Sequence, residues 1–180
     1  MNWSYVVNAI PRFIDAAIIT LQLSFWGILL SLIFGLLIAV VTAYQVKPFY
    51  GLARGYIELS RNTPLLIQLF FLYYGLPKIG IKWDGFTCGI IALVFLGASY
   101  MAVSIPAIGA NVLFLIKETS VISAVAVAEL MFVTKDIIGM DYKTNEALFL
   151  LFASYLVILL PISLLARHFE NKARSAKYGV

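Results

Sequence analysis

The sequence predicts an all-α integral membrane protein with five transmembrane helices, the fourth of them broken. Of the 180 residues, 62% are hydrophobic and 12% are charged, and the mean hydropathy is +0.96. Several apolar runs approach the ~20 residues that a helix needs to cross a bilayer. Backbone groups in lipid must pair within the protein, and these runs lack the alternation of barrel strands, so helices are expected. Residues 1–180 are predicted to form a single transmembrane domain.

The first element expected is an amphipathic helix over 2–15 that lies in the membrane interface. Its apolar residues recur at helical spacing, and Trp3 and Tyr5 are suitable interface anchors. The first span follows within 16–46. Small side chains occur there at every fourth position and form a ridge on which another helix can pack closely. The ridge consists of Gly27, Ser31, Gly35, Ala39 and Ala43.

The second span is predicted over 56–77. Thr63 and Pro64 make a good N-cap and N1 pair for a new helix. The run from Pro64 to Pro77 is short for a complete span. Either residues 56–62 are also helical, with a helix break at Thr63 and Pro64, or this span is thin.

The run over 85–116 contains no charged residue. A single helix of this length would measure ~48 Å, compared with ~30 Å for the hydrocarbon core of a bilayer. Two helices therefore fit better: a third span over 85–102 and a broken fourth span over 103–133, with a turn near Ala102–Pro106. A final span over 146–166 leads into a basic cytoplasmic tail, 167–180.

The distribution of charge predicts the orientation. The segments 47–61 and 167–180 hold seven basic and two acidic residues, whereas basic and acidic residues balance in the other loops. By the positive-inside rule these two segments are cytoplasmic. The N-terminus is then outside and the C-terminus inside, which requires an odd number of crossings. The five spans meet this requirement.

Several function classes are disfavoured by the motifs that are missing from the sequence. It contains no G-x-x-x-x-G-K-[ST] loop for ATP, no cluster of metal-ligand residues and no Ser–His–Asp set. We therefore expect no catalytic residue, no metal site and no cofactor in this chain. The basic residues follow the topology, so no nucleic-acid partner is expected, while the tail is suited to contact anionic lipid.

The most informative polar group is the stretch LIKETS. Lys117 would lie ~21 Å along a helix that starts at Val103, and ionisable residues at such depth usually line a cavity. Thr119 or Ser120 could cap the following half-helix, as in the broken helices of transporters. Lys117 and Glu118 could then bind the carboxylate and amino groups of a zwitterion. Alternatively, they form a structural pair at a helix end, or Lys117 snorkels to the outer interface. The predicted substrate pathway consists of Lys117, Glu118, Thr119, Ser120 and Glu129.

Two longer stretches resemble a known family. Residues 56–77 (YIELSRNTPLLIQLFFLYYGLP) and 105–130 (IPAIGANVLFLIKETSVISAVAVAEL) are similar to membrane segments of permease subunits from bacterial ABC importers of polar amino acids, of the histidine/glutamine/glutamate/arginine type. The resemblance covers nearly the whole chain. It implies a multi-pass, five-helix permease subunit of the bacterial cytoplasmic (inner) membrane, with substrate passing near residues 117–120. The implied partners are a second permease subunit (a copy or a paralogue), a cytoplasmic ABC ATPase that holds ATP and Mg, and an extracytoplasmic amino-acid-binding protein.

The chain departs from this family at one place. Family members carry a cytoplasmic loop between the third and fourth spans, with an "EAA" helix that contacts the ATPase. Here GASYMA (97–102) runs directly into VSIPAIGAN (103–111), so the loop is absent at about Ala102–Val103. We therefore expect this form to couple ATP hydrolysis to transport poorly or not at all. The alternatives are a secondary transporter or channel subunit, and a non-transporting remnant that assembles with an intact permease.

Overall fold

The structure, a computed structural model, describes residues 1–103 and 108–178, and the side chains of these residues up to position 168. Every regular element in this part of the chain is helical, which confirms the predicted all-α class. The α-helices are α1 (Trp3–Ala43), α2 (Phe49–Asn62), α3 (Leu65–Phe70), α4 (Gly85–Val103), α5 (Ile108–Glu118), α6 (Leu130–Asp136) and α7 (Thr144–Tyr178). Three of them continue in other helical forms: α3 as a π-helix (Phe71–Gly75) and a 3-10 helix (Leu76–Ile79), α5 as a 3-10 helix (Thr119–Val125), and α6 as a π-helix (Ile137–Asp141).

Four helices among the described residues are long and apolar enough to cross a membrane. They are Trp3–Ala43, Gly85–Val103, Ile108–Val125 and Thr144–His168, and a shorter apolar helix covers Leu65–Ile79. The chain is thus a multi-pass integral membrane protein. Helix α7 continues through most of the segment predicted as a basic tail, where the side chains of Lys172, Arg174 and Lys177 lie outside the described residues.

The N-terminal region differs from the prediction. Instead of an interfacial helix over 2–15 followed by a span, α1 is one helix of 41 residues with Pro11 inside it. The apolar stripe of its first turns is buried against α6 and α7: Val6, Ala9 and Phe13 are at most 5% exposed. The separate interfacial helix was wrong, because the same periodicity that suits a lipid surface also suits the buried face of a packed helix.

Helices α1 and α4 run in the same direction and approach closely. A Cβ atom built on Gly27 would lie 3.1 Å from Leu93 Cδ1, and one built on Gly35 would lie 2.6 Å from Met101 Cβ. A step of eight residues forward along α1 thus matches a step of eight residues forward along α4, which shows that the two helices are parallel. On the ridge of small residues, Ala39 is also buried, whereas Ala43 is exposed and marks where the contact has ended.

Helices α4 and α5 form an antiparallel hairpin. A Cβ atom on Gly89 would lie 2.8 Å from Ile122 Cγ2, and the rings of Tyr100 and Phe114 are 5.2 Å apart between centroids. Residues later in α4 therefore contact residues earlier in the segment that begins with α5, as in antiparallel helices. The sequence-based choice of two helices over a single helix of 85–116 agrees with this pairing.

The chain reverses within a short connection. Helix α4 ends at Val103 and α5 begins at Ile108. The predicted turn near Ala102–Pro106 falls largely on residues 104–107, which lie outside the described residues. The place predicted for the missing loop, Ala102–Val103, is the last turn of α4.

The second segment breaks at Thr63 and Pro64, but these residues do not cap the new helix as predicted. Thr63 is extended (φ −109°, ψ 123°) and its hydroxyl donates to the Leu59 carbonyl at 2.7 Å, so it ends α2. Pro64 takes the N-cap position of α3 rather than N1. The Gln68 side chain bridges the break, because its Nε2 donates to the carbonyls of Ser60 at 3.0 Å and Thr63 at 2.9 Å. Carbonyls left over at the end of α2 are thereby paired.

Two apolar clusters form the core. The first lies between α1, α3, α4, α5 and the following 3-10 helix, and includes Leu23 and Val127. The second lies between the start of α1, α6 and α7, and includes Ala16 and Leu130. Two polar residues lie in the sequence between members of the two clusters, Thr20 on α1 and Glu129 before α6. Both are fully buried.

Candidate functional site

Lys117 lines a groove between α5 and α7. The groove encloses about 330 Å³ and is open on one side. Its lining residues are Leu113, Lys117, Phe152, Tyr155, Leu156, Leu159, Leu160 and Ser163. Lys117 is the one charged side chain in this lining, and Tyr155 and Ser163 add hydroxyl groups. A cation in an apolar groove with a few polar groups is suited to bind an anionic group of a small molecule.

Glu118 does not share this groove. It is half-buried and does not belong to the groove lining. Neighbouring residues on an α-helix point about 100° apart. The structure therefore places Lys117 and Glu118 on different faces, and does not bring them together around one zwitterion.

Thr119 and Ser120 do not cap a new helix, contrary to the prediction. The Thr119 hydroxyl donates to the Ile116 carbonyl at 2.7 Å, and the Ser120 hydroxyl donates to the Lys117 carbonyl at 2.8 Å. Both bonds point back into α5, which continues directly into the 3-10 helix Thr119–Val125, so no new helix end is formed here. A 3-10 stretch inside a helical segment often marks a hinge.

The new helix of this segment, α6, begins after Glu129. Ala126 is left-handed (φ 59°), Glu129 is extended, and α6 begins at the next residue. The Glu129 carboxylate accepts the amides of Met131 at 2.9 Å and Phe132 at 2.7 Å. Glu129 is 0% exposed and is not among the residues that line the Lys117 groove; its side chain caps α6.

The end of the bundle where α1 begins carries a polar network that the sequence did not reveal. Arg12 of α1 pairs with Asp136 at 2.6 Å and with Asp141 at 3.4 Å, and the Tyr5 hydroxyl also donates to Asp141. In the sequence these charges look like balanced loop residues. The partners lie more than 120 positions apart, so no local spacing could have indicated them.

A second hydrogen bond missed by sequence reasoning joins the two halves of the fourth segment. The Lys135 ammonium of α6 donates to the Ser123 hydroxyl of the 3-10 helix at 2.9 Å. The i,i+12 separation fits no regular helix, so the bond exists only because the chain turns at Ala126.

A second groove, of about 380 Å³, lies between α1, α2 and α4. Its lining is apolar apart from Tyr56, whose hydroxyl already donates to the Phe95 carbonyl at 2.6 Å. This groove offers no free polar group to a polar ligand. Among the residues described, no three His, Cys, Asp or Glu side chains are placed to hold a metal ion.

The chain was compared with known proteins. No model of a known protein family matches it. A segment of 109 residues is 35% identical to a probable amino-acid ABC transporter permease protein, PatM of Vibrio harveyi, and covers 59% of this chain but 49% of PatM. A probable glutamine ABC transporter permease protein, GlnM of Bacillus subtilis, is 24% identical over 211 positions, which cover 96% of this chain and 98% of GlnM. That alignment is longer than this chain of 180 residues, so the chain lacks tens of residues that GlnM has.

The fold has a close counterpart. A crystal structure of an amino acid ABC transporter with histidines superposes with a TM-score of 0.86 and 26% identity, over 96% of this chain and 99% of that chain. The bundle therefore has the fold of that ABC transporter chain. The resemblance seen in the sequence is confirmed: in sequence and in fold, the chain resembles the permease subunits of amino-acid ABC transporters.

Proposed function

We propose that the chain is a transmembrane permease subunit of an ATP-driven importer of polar amino acids and forms part of its translocation pathway. The observation that supports this most is the superposition on an amino acid ABC transporter over 96% of the chain. The proposed partners are a second permease subunit, an ABC ATPase that holds ATP and Mg, and an extracytoplasmic binding protein. The proposed location is the bacterial inner membrane.

We propose five crossings, with the N-terminus outside. Helices α1 and α4 are parallel, α5 is antiparallel to α4, and α7 starts beside the start of α1, where the Asn2 amide donates to the Glu146 carboxylate at 2.6 Å. Together with a second crossing proposed for α2 and α3, this arrangement supports termini on opposite sides of the membrane. The basic residues of 47–61 favour the cytoplasm for that segment.

The orientation is tested by labelling introduced cysteines on intact cells. Cys88, the one native cysteine, is buried, so its background reaction is low. Gly139→Cys should react with a membrane-impermeant maleimide from outside, and Gly55→Cys only after permeabilisation. Neither position has an atom within 4 Å of an added Cβ, so both variants should fold. The reverse labelling pattern would overturn the orientation.

Within this function, Lys117 is proposed to bind the substrate carboxylate. The groove between α5 and α7 supplies an exposed ammonium and apolar walls, which suit an amino acid whose side chain is recognised elsewhere. Lys117→Met should weaken substrate binding by the assembled permease, whereas Lys78→Met, in the 3-10 helix that follows α3, should not. Equal effects of both changes would remove Lys117 from the pathway.

We also propose that this 180-residue form is poorly coupled to its ATPase. Only four residues separate α4 from α5, and the family resemblance places the ATPase contact in a cytoplasmic loop at this position. Proteoliposomes with the ATPase and binding protein should show little ATP-dependent uptake of glutamine. Insertion of the corresponding GlnM segment between Ala102 and Val103 should restore it. Uptake by the original form would refute the coupling proposal, and uptake driven by an ion gradient alone would refute the importer function.

A further inference from the structure

The first turn of α6 is partly buried, with Leu130 fully buried, and all of its amides are paired. The first four amides of an α-helix have no partner inside the helix. The Glu129 carboxylate accepts two of them, as described above. The Leu130 amide donates to Thr20 Oγ1 of α1 at 3.2 Å, and the backbone amide of Glu129 itself donates to the Val127 carbonyl at 2.8 Å. Thr20 and Leu130 are both 0% exposed, so water cannot replace either partner.

The Glu129 and Thr20 side chains stabilise this turn in different ways. Glu129 ends the extended stretch and begins α6, whereas Thr20 fixes that beginning to a different helix, α1. The Thr20 bond joins positions 110 residues apart in the sequence. Because an amide without a partner is unfavourable where water is excluded, loss of either partner favours opening of this turn.

A further bond extends the connection into the preceding 3-10 helix. The Lys135 ammonium donates to the Ser123 hydroxyl, which is 7% exposed. The 3-10 helix Thr119–Val125 is therefore held by α6, and α6 is held by α1. Lys117 lies just before this region, on α5.

We infer that Thr20 and Glu129 form a buried lock that holds residues 119–136 to α1 as one cooperative unit. Glu129 is then a positioning residue of the fourth segment rather than a ligand for the substrate. The unit begins two residues after Lys117, so the lock fixes the segment that directly follows this side of the Lys117 groove. Only this last consequence rests on the proposed transport function, since the lock can be measured without transport.

The chemistry of the lock predicts which substitutions it tolerates. A carboxylate offers two acceptor oxygens to the amides of Met131 and Phe132. Gln offers one oxygen and turns a donor toward the other amide, so Glu129→Gln breaks the lock. Asp is among the preferred N-cap residues and accepts from the second and third amides of a helix, so Glu129→Asp retains the lock.

The lock is tested by amide hydrogen exchange with mass spectrometry on the full chain in lipid nanodiscs. Glu129→Gln and Thr20→Val should each accelerate exchange about tenfold over 119–136, while 108–118 stays as slow as in the original chain. Glu129→Asp should exchange like the original. The matched control is Thr42→Val, since the Thr42 hydroxyl donates only to carbonyls of its own helix, Ile38 and Ala39.

Three results would overturn the inference. Unchanged exchange over 119–136 in both Glu129→Gln and Thr20→Val would show that the lock has no effect on stability. Acceleration limited to 130–132 would show that 119–136 is not one unit. Equal acceleration in all helices would show a general loss of stability. If Glu129→Gln does not fold, Thr20→Val still decides the question, because it leaves the Glu129 cap in place.

Discussion

The two halves of α1 are held to the rest of the bundle by different kinds of contact. From Gly27 to Ala39 the helix lies against α4 through small side chains, and the contact contains a single inter-helix hydrogen bond, from Ser31 to the Leu93 carbonyl at 3.4 Å. From Asn2 to Thr20 it contacts α6 and α7 and adds ion pairs and hydrogen bonds near its N-terminus and at Thr20. The first half depends on close approach, and the second on specific polar partners.

This difference determines how each half should respond to change. Close packing in a membrane is stabilised by dispersion, so it is lost when added atoms separate the helices. Polar contacts are lost when one partner is removed, and the loss is large only where water cannot take its place. The contacts of α1 can thus be ordered by how deeply they are buried in the protein.

The largest effect is expected from Gly35→Leu in the close-packed half. A Cβ atom at this position would lie 2.6 Å from Met101 Cβ and 3.0 Å from the Ala98 carbonyl, so the helices must move apart. Overpacking costs about 1–3 kcal/mol and can cost more where backbone is involved. The thermal stability of the purified chain in detergent should fall, and much of the protein should fail to assemble.

The control for this change is Gly55→Leu on α2, where an added Cβ meets no atom within 4 Å. It should leave stability nearly unchanged. If Gly35→Leu also leaves it unchanged, the small-residue face does not hold α1 to α4 in the membrane.

The next effect is expected at the boundary between the two halves. Glu129→Ala would leave the partly buried amides of Met131 and Phe132 without acceptors, at a total cost of about 1–3 kcal/mol. The midpoint of thermal unfolding should fall clearly. Glu58→Ala, which removes a carboxylate that is 71% exposed, serves as the matched control. Equal stability of the two variants would contradict the burial of Glu129.

The two halves also differ in what the sequence could predict. The ridge from Gly27 to Ala39 could be recognised because each of its residues is on the same helix, so spacing alone indicated a packing face. The long uncharged run likewise predicted the α4–α5 hairpin. The roles of Thr20, Arg12 and Glu129 depend on partners that folding brings from elsewhere in the chain. For Thr63 and Thr119, the sequence indicated that a hydroxyl could cap, but could not show which of two nearby backbone groups it would choose.

A third, smaller effect comes from a polar contact that is local in sequence. Asp84 precedes α4, and its carboxylate accepts the Thr87 hydroxyl at 2.6 Å and the Thr87 amide at 3.1 Å. These bonds hold the pKa of Asp84 below its ordinary value of 3.8. Asp84→Ala should cost about 1 kcal/mol, as for other N-cap residues.

The pH dependence of this effect has a defined sign. Because the folded-state pKa of Asp84 is lowered, its contribution is complete above the ordinary pKa of 3.8 and is lost as the pH falls below it. The difference in stability between Asp84→Ala and the original chain should therefore shrink between neutral and strongly acidic pH. Lys82→Ala, in the same loop, should show no such change. A difference that stays constant down to acidic pH would contradict the carboxylate cap.

The smallest effect is expected near the N-terminus of α1, although the ion pair there is short. Arg12 and Asp136 are separated by 2.6 Å, but their side chains are 46% and 43% exposed, so water can solvate either charge when the other is removed. Arg12→Met should therefore cost at most about 1 kcal/mol at low salt. Since the Debye length falls to about 3 Å in 1 M salt, the difference from the original chain should become smaller there. The stability loss in Gly35→Leu should not depend on salt, because no charge is involved. A salt-independent loss in Arg12→Met would show that the Arg12 side chain acts by packing, and that the two halves of α1 are held by more similar forces than their chemistry indicates.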